Sequence, residues 1–277
     1  MYAGRARKGD NLDIISSNKN DKLRNVVSLL KTKKIRTEQG AFVIEGIRIA
    51  RDAFKSAFGL ISQIFVSESF VEKELWKEHE EFLARNFKEL PNLYIVKDSV
   101  FESLSETVTP QGILCVVKQP SYEYGDIVSG SGALKLLVLE DIQDPGNLGT
   151  MIRTAEAAGM NGVIMSKGTV DIFSPKVTRS TMGAIFRVPF MYTDDLCGVL
   201  DRLKSDGVRV SAAYLRNGED YAEADYSPRA AVMIGNEGNG LSDEAVSHAS
   251  QNVFIPMQGE VESLNAAIAA ALLMYRI

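Results

Sequence analysis

The 277-residue chain is 45% apolar and 24% charged, with a formal net charge of −5; this composition suits a globular protein with room for one large domain or two ordinary ones. No run of about 18 uncharged apolar residues exists, so no membrane-spanning helix is expected, and nothing apolar follows the basic Arg5, Arg7 and Lys8, so no secretory signal is expected and the cytoplasm is the default compartment. Two cysteines and two histidines, far apart in sequence, supply neither a disulfide framework nor a zinc ligand set, and metal-free chemistry is expected.

Residues 1–19 are polar and aperiodic and read as a flexible basic arm. Leu23, Val26, Val27 and Leu30 recur at helical spacing and predict an amphipathic helix. The other face of that helix, with the turn after it, carries Lys22, Arg24, Lys31, Lys33, Lys34 and Arg36. The first 55 residues hold 13 Lys/Arg against 6 Asp/Glu, and the rest hold 18 against 30. Such asymmetry fits a basic face for a polyanion, and equally a solvated helix face behind a basic tail. Strands are predicted at 41–44, 63–66, 93–96 and 112–117, with helices at 48–58, 70–87 and 98–104. Alternation at this spacing indicates a small α/β domain over 20–118. Residues 119–133, with Pro120, Gly125, Gly130 and Gly132, have the composition of a linker.

The second domain, 134–277, opens on an apolar run at 134–139 that suits a strand buried on both faces of a parallel sheet. A helix at 148–158, a strand at 162–165, a helix at 175–184 and a strand at 186–190 follow. Then come a helix at 196–205, strands at 208–214, 230–234 and 253–255, and an Ala/Leu-rich helix at 264–275. This is an open α/β fold, whose ligands sit beyond the C-terminal ends of the strands.

Three loops follow predicted strands. They are Asp144-Pro145-Gly146-Asn147-Leu148-Gly149-Thr150 leading to Arg153, Gly235-Asn236-Glu237-Gly238-Asn239-Gly240-Leu241, and residues 255–265. Each is open to two readings, a plain turn rich in residues that tolerate left-handed angles or a ligand loop. None has the G-x-G-x-x-G or phosphate-loop spacing. Backbone groups freed by glycine are suited instead to wrapping a small heterocycle. By spacing, Arg153 is either a site residue or a surface partner of Glu156.

The stretch from Leu139-Glu140-Asp141 through Asn147 to Arg153-Thr154-Ala155 resembles the first motif of the SpoU (TrmH) family of RNA ribose methyltransferases. Ile234 to Leu241 resembles the second, and Ile255-Pro256-Met257 with Ser263-Leu264-Asn265 the third. The first half is similar to the family's accessory RNA-binding domain through Lys33-Lys34-Ile35-Arg36, Phe42-Val43-Ile44-Glu45-Gly46 and Thr109-Pro110-Gln111-Gly112-Ile113. The resemblance implies a trefoil-knotted α/β catalytic domain with a parallel sheet, working as a homodimer on RNA with S-adenosylmethionine as cofactor. It implies 2′-O-methylation of a ribose, in large-subunit ribosomal RNA or alternatively in tRNA or as a thiostrepton-resistance type. A non-catalytic ribosome-assembly factor is the alternative of another class. Carried over, Arg153 would assist the ribose hydroxyl and Asn147 would orient Arg153 or the ribose, while Glu237, Ser263 and Asn265 position substrate and loops. Gly235, Ile255, Met257 and Leu264 would hold the cofactor, largely through the backbone. Lys33, Lys34, Arg36, Lys176 and Arg179 would contact RNA.

Overall fold

The computed structural model of the protein describes residues 14–72, 92–105, 107 and 109–277. Most of the expected basic arm and of the expected helix at 70–87 lie outside the described residues. Contacts divide the chain into two units, Met1–Gln119 and Pro120–Ile277.

In the first unit, α1 (Asp21–Lys31) starts where the Asn20 side chain accepts the Lys22 N–H, and it buries Leu23, Val26, Leu29 and Leu30. The basic stretch after it is helical rather than a turn: α2 (Lys33–Gln39) ends at Gly40, whose φ of 56° is left-handed, a conformation that favours glycine. Next come β1 (Ala41–Glu45), α3 (Ile47–Ser56), β2 (Ile61–Ser67), α4 (Glu68–Glu72), β3 (Leu93–Val96), α5 (Asp98–Leu104) and β4 (Ile113–Lys118). The sheet order is β1-β4-β2-β3, with β4 antiparallel to both neighbours and β2 parallel to β3. Ala41 and Val43 pack with Leu114 and Val116 against α1 and α5. Because side chains alternate along a strand, the buried Phe42, Ile44, Cys115 and Val117 face the other side, where α3 packs on β1 and β4.

Arg36 corrects one sequence expectation. It is only 5% exposed, and its guanidinium donates to the carbonyls of Leu29 (2.6 Å) and Leu30 (3.1 Å). These carbonyls belong to the last turn of α1, which lacks intrahelical partners for them. Arg36 therefore closes the α1–α2 junction and is not an exposed RNA contact.

The second unit begins with α6 (Tyr124–Ile127), a short helix inside the segment read as a linker. Its Tyr124 and Ile127 are buried in the unit's core. Then follow β5 (Leu134–Leu139), α7 (Pro145–Ala157), β6 (Gly162–Ser166), α8 (Pro175–Ser180), β7 (Phe190–Thr193), α9 (Leu196–Ser205), β8 (Arg209–Ala213), β9 (Glu219–Asp220), β10 (Arg229–Ile234), α10 (Asp243–Ser247), β11 (Gln251–Phe254) and α11 (Ala266–Met274). All pairs in the seven-stranded sheet β7-β6-β5-β10-β8-β11-β9 are parallel. Central β5 has Leu136, Leu137, Val138 and Leu139 fully buried, each contributing about 1.5–3 kcal/mol.

Two expected boundaries shift. The helix expected to reach residue 184 stops at Ser180, because Met182 and Gly183 adopt φ of 50° and 85°. The strand expected at 186–190 begins only at Phe190: buried Phe186 closes a single 3₁₀ turn, Ala184–Phe186. Gly149 sets the packing of α7 on α8, since a Cβ there would overlap the Ser180 side chain.

Candidate active site

The loops after β5, β10 and β11 meet at the C-terminal ends of their strands. Asp144 caps α7 by accepting the Asn147 N–H at 2.8 Å, and Pro145 occupies the first turn, where a missing N–H costs nothing. This fixes Asn147, half-buried, at the mouth of the sheet. Its side-chain amide donates to Glu237 Oε1 (3.0 Å), and its carbonyl oxygen accepts from Asn265 Nδ2 (3.0 Å). Asn265 is itself the cap of α11, its Oδ1 accepting from Ala267 (2.9 Å) and Ile268 (3.3 Å). Glu237 also accepts the backbone N–H groups of Gln143 (3.0 Å) and Asp144 (2.9 Å). One polar chain thus ties all three loops through Asn265, Asn147 and Glu237.

Desolvation alone would raise the pKa of Glu237. The N–H of Gln143, the side chain of Asn147 and the N–H of Asp144 outweigh it and hold the carboxyl below its ordinary value. Glu237 is therefore a fixed anion at neutral pH.

The second loop turns because Asn236 Oδ1 accepts from Gly238 and Asn239. Its Nδ2 donates to the Asp141 carbonyl at 2.9 Å. Gly235 is buried against the backbone of Gly240 and Leu241, and any Cβ there would collide with it. Main-chain atoms therefore line this loop. Further on, Ile255, Met257 and Leu264 are half-buried and offer apolar contact beside the main-chain groups.

Arg153 lies two turns into α7, exposed, with no hydrogen bond or ion pair among the described residues. Glu156, its alternative partner by spacing, pairs instead with Arg187. Packing of α11 along α7 and β10 brings the helix capped by Asn265 beside the one that carries Arg153. Ser263 is exposed and makes no hydrogen bond among the described residues. Of the RNA candidates, Lys33, Lys34 and Lys176 are exposed and Arg179 is half-buried.

Sequence reasoning missed the residues that fasten the loops to one another. Glu140 accepts the Ser242 N–H (2.8 Å) and Oγ–H (2.6 Å). Asp141, at φ 54°, accepts from Ser166 Oγ (2.6 Å). Gln143 Nε2 donates to the carbonyls of Asp141 (3.1 Å) and Gly168 (2.7 Å). The available signal was the abrupt end of the apolar run at Glu140-Asp141. Two pockets of about 570 and 400 Å³, the first reaching Lys204, Arg209 and Asp225 and the second Asp206 and Arg229, lie at the opposite, N-terminal ends of β8 and β10.

Residues 135–275 match the model of the SpoU rRNA Methylase family, and residues 20–115 that of the MRM3-like substrate binding domain. The chain is 36% identical to the 23S rRNA (guanosine(2553)-2'-O)-methyltransferase RlmP of Bacillus subtilis, over 95% of this chain and 98% of that one. The AdoMet-bound rRNA methyltransferase from Sinorhizobium meliloti superposes with a TM-score of 0.82 at 28% identity, covering 95% of each chain. An RNA 2'-O ribose methyltransferase superposes with a TM-score of 0.77 at 30% identity, covering 95% of this chain and 96% of that one.

Proposed function

The chain belongs to the SpoU rRNA methylase family, and from that premise we propose that it methylates a ribose 2′-hydroxyl of large-subunit ribosomal RNA, using S-adenosylmethionine. The observation that carries this reading is the Asn265–Asn147–Glu237 chain, which holds the three motif loops together on the side of the sheet where ligands bind in such folds. The choice of ribosomal RNA over tRNA rests on the substrate named for the Bacillus subtilis relative and on the match to a substrate-binding domain in residues 20–115.

The loops suit the cofactor. Gly235 leaves main-chain groups bare, and Ile255, Met257 and Leu264 supply apolar contact. When bound, S-adenosylmethionine supplies an electrophilic methyl on a sulfonium. The protein's part is to align an RNA oxygen with that methyl and to ease loss of the hydroxyl proton. Arg153 presents a guanidinium, a donor group with no acceptor. It acts as a fixed positive charge that stabilises the developing 2′-oxyanion and can hold an RNA phosphate against the hydroxyl, whose proton passes to that phosphate oxygen or to solvent water. Asn147 holds the entry to α7 in register so that Arg153 faces the reacting ribose. Glu237 acts through Asn147 and the backbone as a positioning residue. Ser263, exposed beside Leu264, is a further polar group available to substrate.

The same reading includes a homodimer. Helix α11 is apolar on all sides, and Ile268 (51%), Leu272 (37%) and Tyr275 (66%) leave one side of it open. A helix apolar all round belongs in an interior, and a second copy laid on this face supplies one. A trefoil-knotted path through the loops after β10 and β11 belongs to the same reading, as do a catalytic domain at 134–277, an RNA-binding domain at 20–118 and a cytoplasmic place of work beside the ribosome. No helix among the described residues is long and apolar enough to cross a membrane. Mapping ribose methylation across total RNA from cells with and without the gene tests the function. One large-subunit nucleotide should lose its methyl group, and an unchanged map would end the proposal.

A further inference from the structure

The RNA-modifying function proposed above raises the question of where the first unit holds its RNA. Of the six cations on α1 and α2, four are engaged within the protein. Lys22 stands 5.1 Å from the centroid of the Tyr94 ring, Arg24 pairs with Asp21, Lys34 lies 3.8 Å from Glu38, and Arg36 is buried beneath carbonyls. Helix α3, on the other face of the sheet, differs. It buries Ile49, Ala50, Ala53 and Phe54 and exposes Arg48, Arg51 and Lys55. At about 100° per residue these three cations fall within about 60° of arc and span about 10 Å along the axis. None of them makes a hydrogen bond or ion pair among the described residues.

Two features argue against a merely solvated face. Arg48 sits in the first turn, the end of a helix that disfavours a cation, and no acidic residue in that turn offsets it. The helix's lone carboxylate, Asp52, is half-buried, leaving three exposed cations to one acid on this side of the helix. Three aligned cations can each neutralise one phosphate charge of a strand laid along the helix.

The geometry points to the Arg48, Arg51 and Lys55 stripe of α3 as the surface on which the first unit takes up the RNA phosphate backbone. The charges lie on a rigid helix packed on β1 and β4, so they present a fixed row that reads backbone and not sequence. Base selection then falls to other elements.

The test uses the full chain and a transcript of large-subunit ribosomal RNA. In the triple variant Arg48→Gln, Arg51→Gln, Lys55→Gln, the slope of log affinity against log salt should fall by about 2, at roughly 0.7 per phosphate contact. By the same relation, affinity near 0.15 M salt should fall about 50-fold. The KM for RNA should rise while kcat at saturating RNA and the affinity for S-adenosylmethionine stay unchanged. The charge-keeping variant Arg48→Lys, Arg51→Lys, Lys55→Arg should retain RNA affinity, which separates charge from folding. Lys97→Gln with Lys118→Gln, exposed cations elsewhere in the unit, should leave affinity within about threefold. Wild-type affinity and slope in the triple Gln variant would overturn the inference while leaving the proposed function standing. A wild-type protein that neither binds nor methylates the transcript would overturn that function, and the inference with it.

Discussion

Replacing Glu237 with Gln is the most informative single perturbation of the loop network. The carboxylate accepts three hydrogen bonds, Gln143 N–H on Oε2 and Asp144 N–H with Asn147 Nδ2 on Oε1. A glutamine keeps the shape but offers one oxygen. If that oxygen keeps the two donors on the Oε1 side, its amide nitrogen faces the Gln143 N–H, donor against donor. Losing one hydrogen bond to a charged group costs about 1.5–3 kcal/mol. Glu237 is exposed, so water recovers part of that, leaving about 1–2 kcal/mol. For a unit of this size the melting temperature should fall by about 2–8 °C.

The pH dependence fixes the sign. The folded pKa of Glu237 is lowered, so its contribution is fully present above the unfolded value of about 4.3. That contribution is lost as pH falls through the lower folded value. Calorimetry of both proteins at pH 7 and across pH 3–5 reads this directly. The difference should be largest at neutral pH and shrink in acid. Equal melting temperatures at pH 7, or a difference that persists unchanged at pH 3, would refute the account of Glu237 as a bound anion.

Arg36→Ala should destabilise the first unit by about 2–4 kcal/mol, since two helix-end carbonyls lose their donor; urea unfolding measures it, and a surface-like change below about 0.5 kcal/mol would contradict the buried role. Gly235→Ala should open the second loop, because the new Cβ collides with the Gly240–Leu241 backbone. Titration calorimetry should show S-adenosylmethionine affinity falling at least tenfold, at an overpacking cost of about 1–3 kcal/mol; unchanged affinity would place the cofactor elsewhere. Ile268→Asp with Leu272→Asp puts charge on the open face of α11, and light scattering should report a dimer for the unaltered chain and a monomer for the variant. An unaltered mass would remove α11 from the interface.

Much of the second unit was readable because its central strands β5, β6 and β10 are buried along nearly their whole length. The run ending at Leu139 admits few structures other than a central parallel strand. Short elements held by distant partners were not readable. Strand β9 is the polar pair Glu219–Asp220, kept extended only by its pairing with Val253 and Phe254. Helix α6 hides in a Gly/Pro-bearing segment because only Tyr124 and Ile127 reveal its burial. Arg36 reads as one more solvated cation until α2 turns it under the end of α1. The polar chain joins residues 90 and 118 positions apart, and no local pattern encodes such contacts. Motif resemblance alone groups Asn147, Glu237 and Asn265. It includes Glu140 but gives no sign of the bond to Ser242, which lies outside the motifs.

Methyl transfer from labelled S-adenosylmethionine to a large-subunit RNA transcript, measured for the wild-type chain and for Arg153→Ala, tests the central claim most directly. Arg153 is exposed and unpaired among the described residues, so its removal should leave the fold and cofactor affinity within about twofold of wild type. Transfer should fall by at least about a hundredfold, the usual cost of losing one charge-stabilising group. Wild-type turnover in Arg153→Ala would contradict the account.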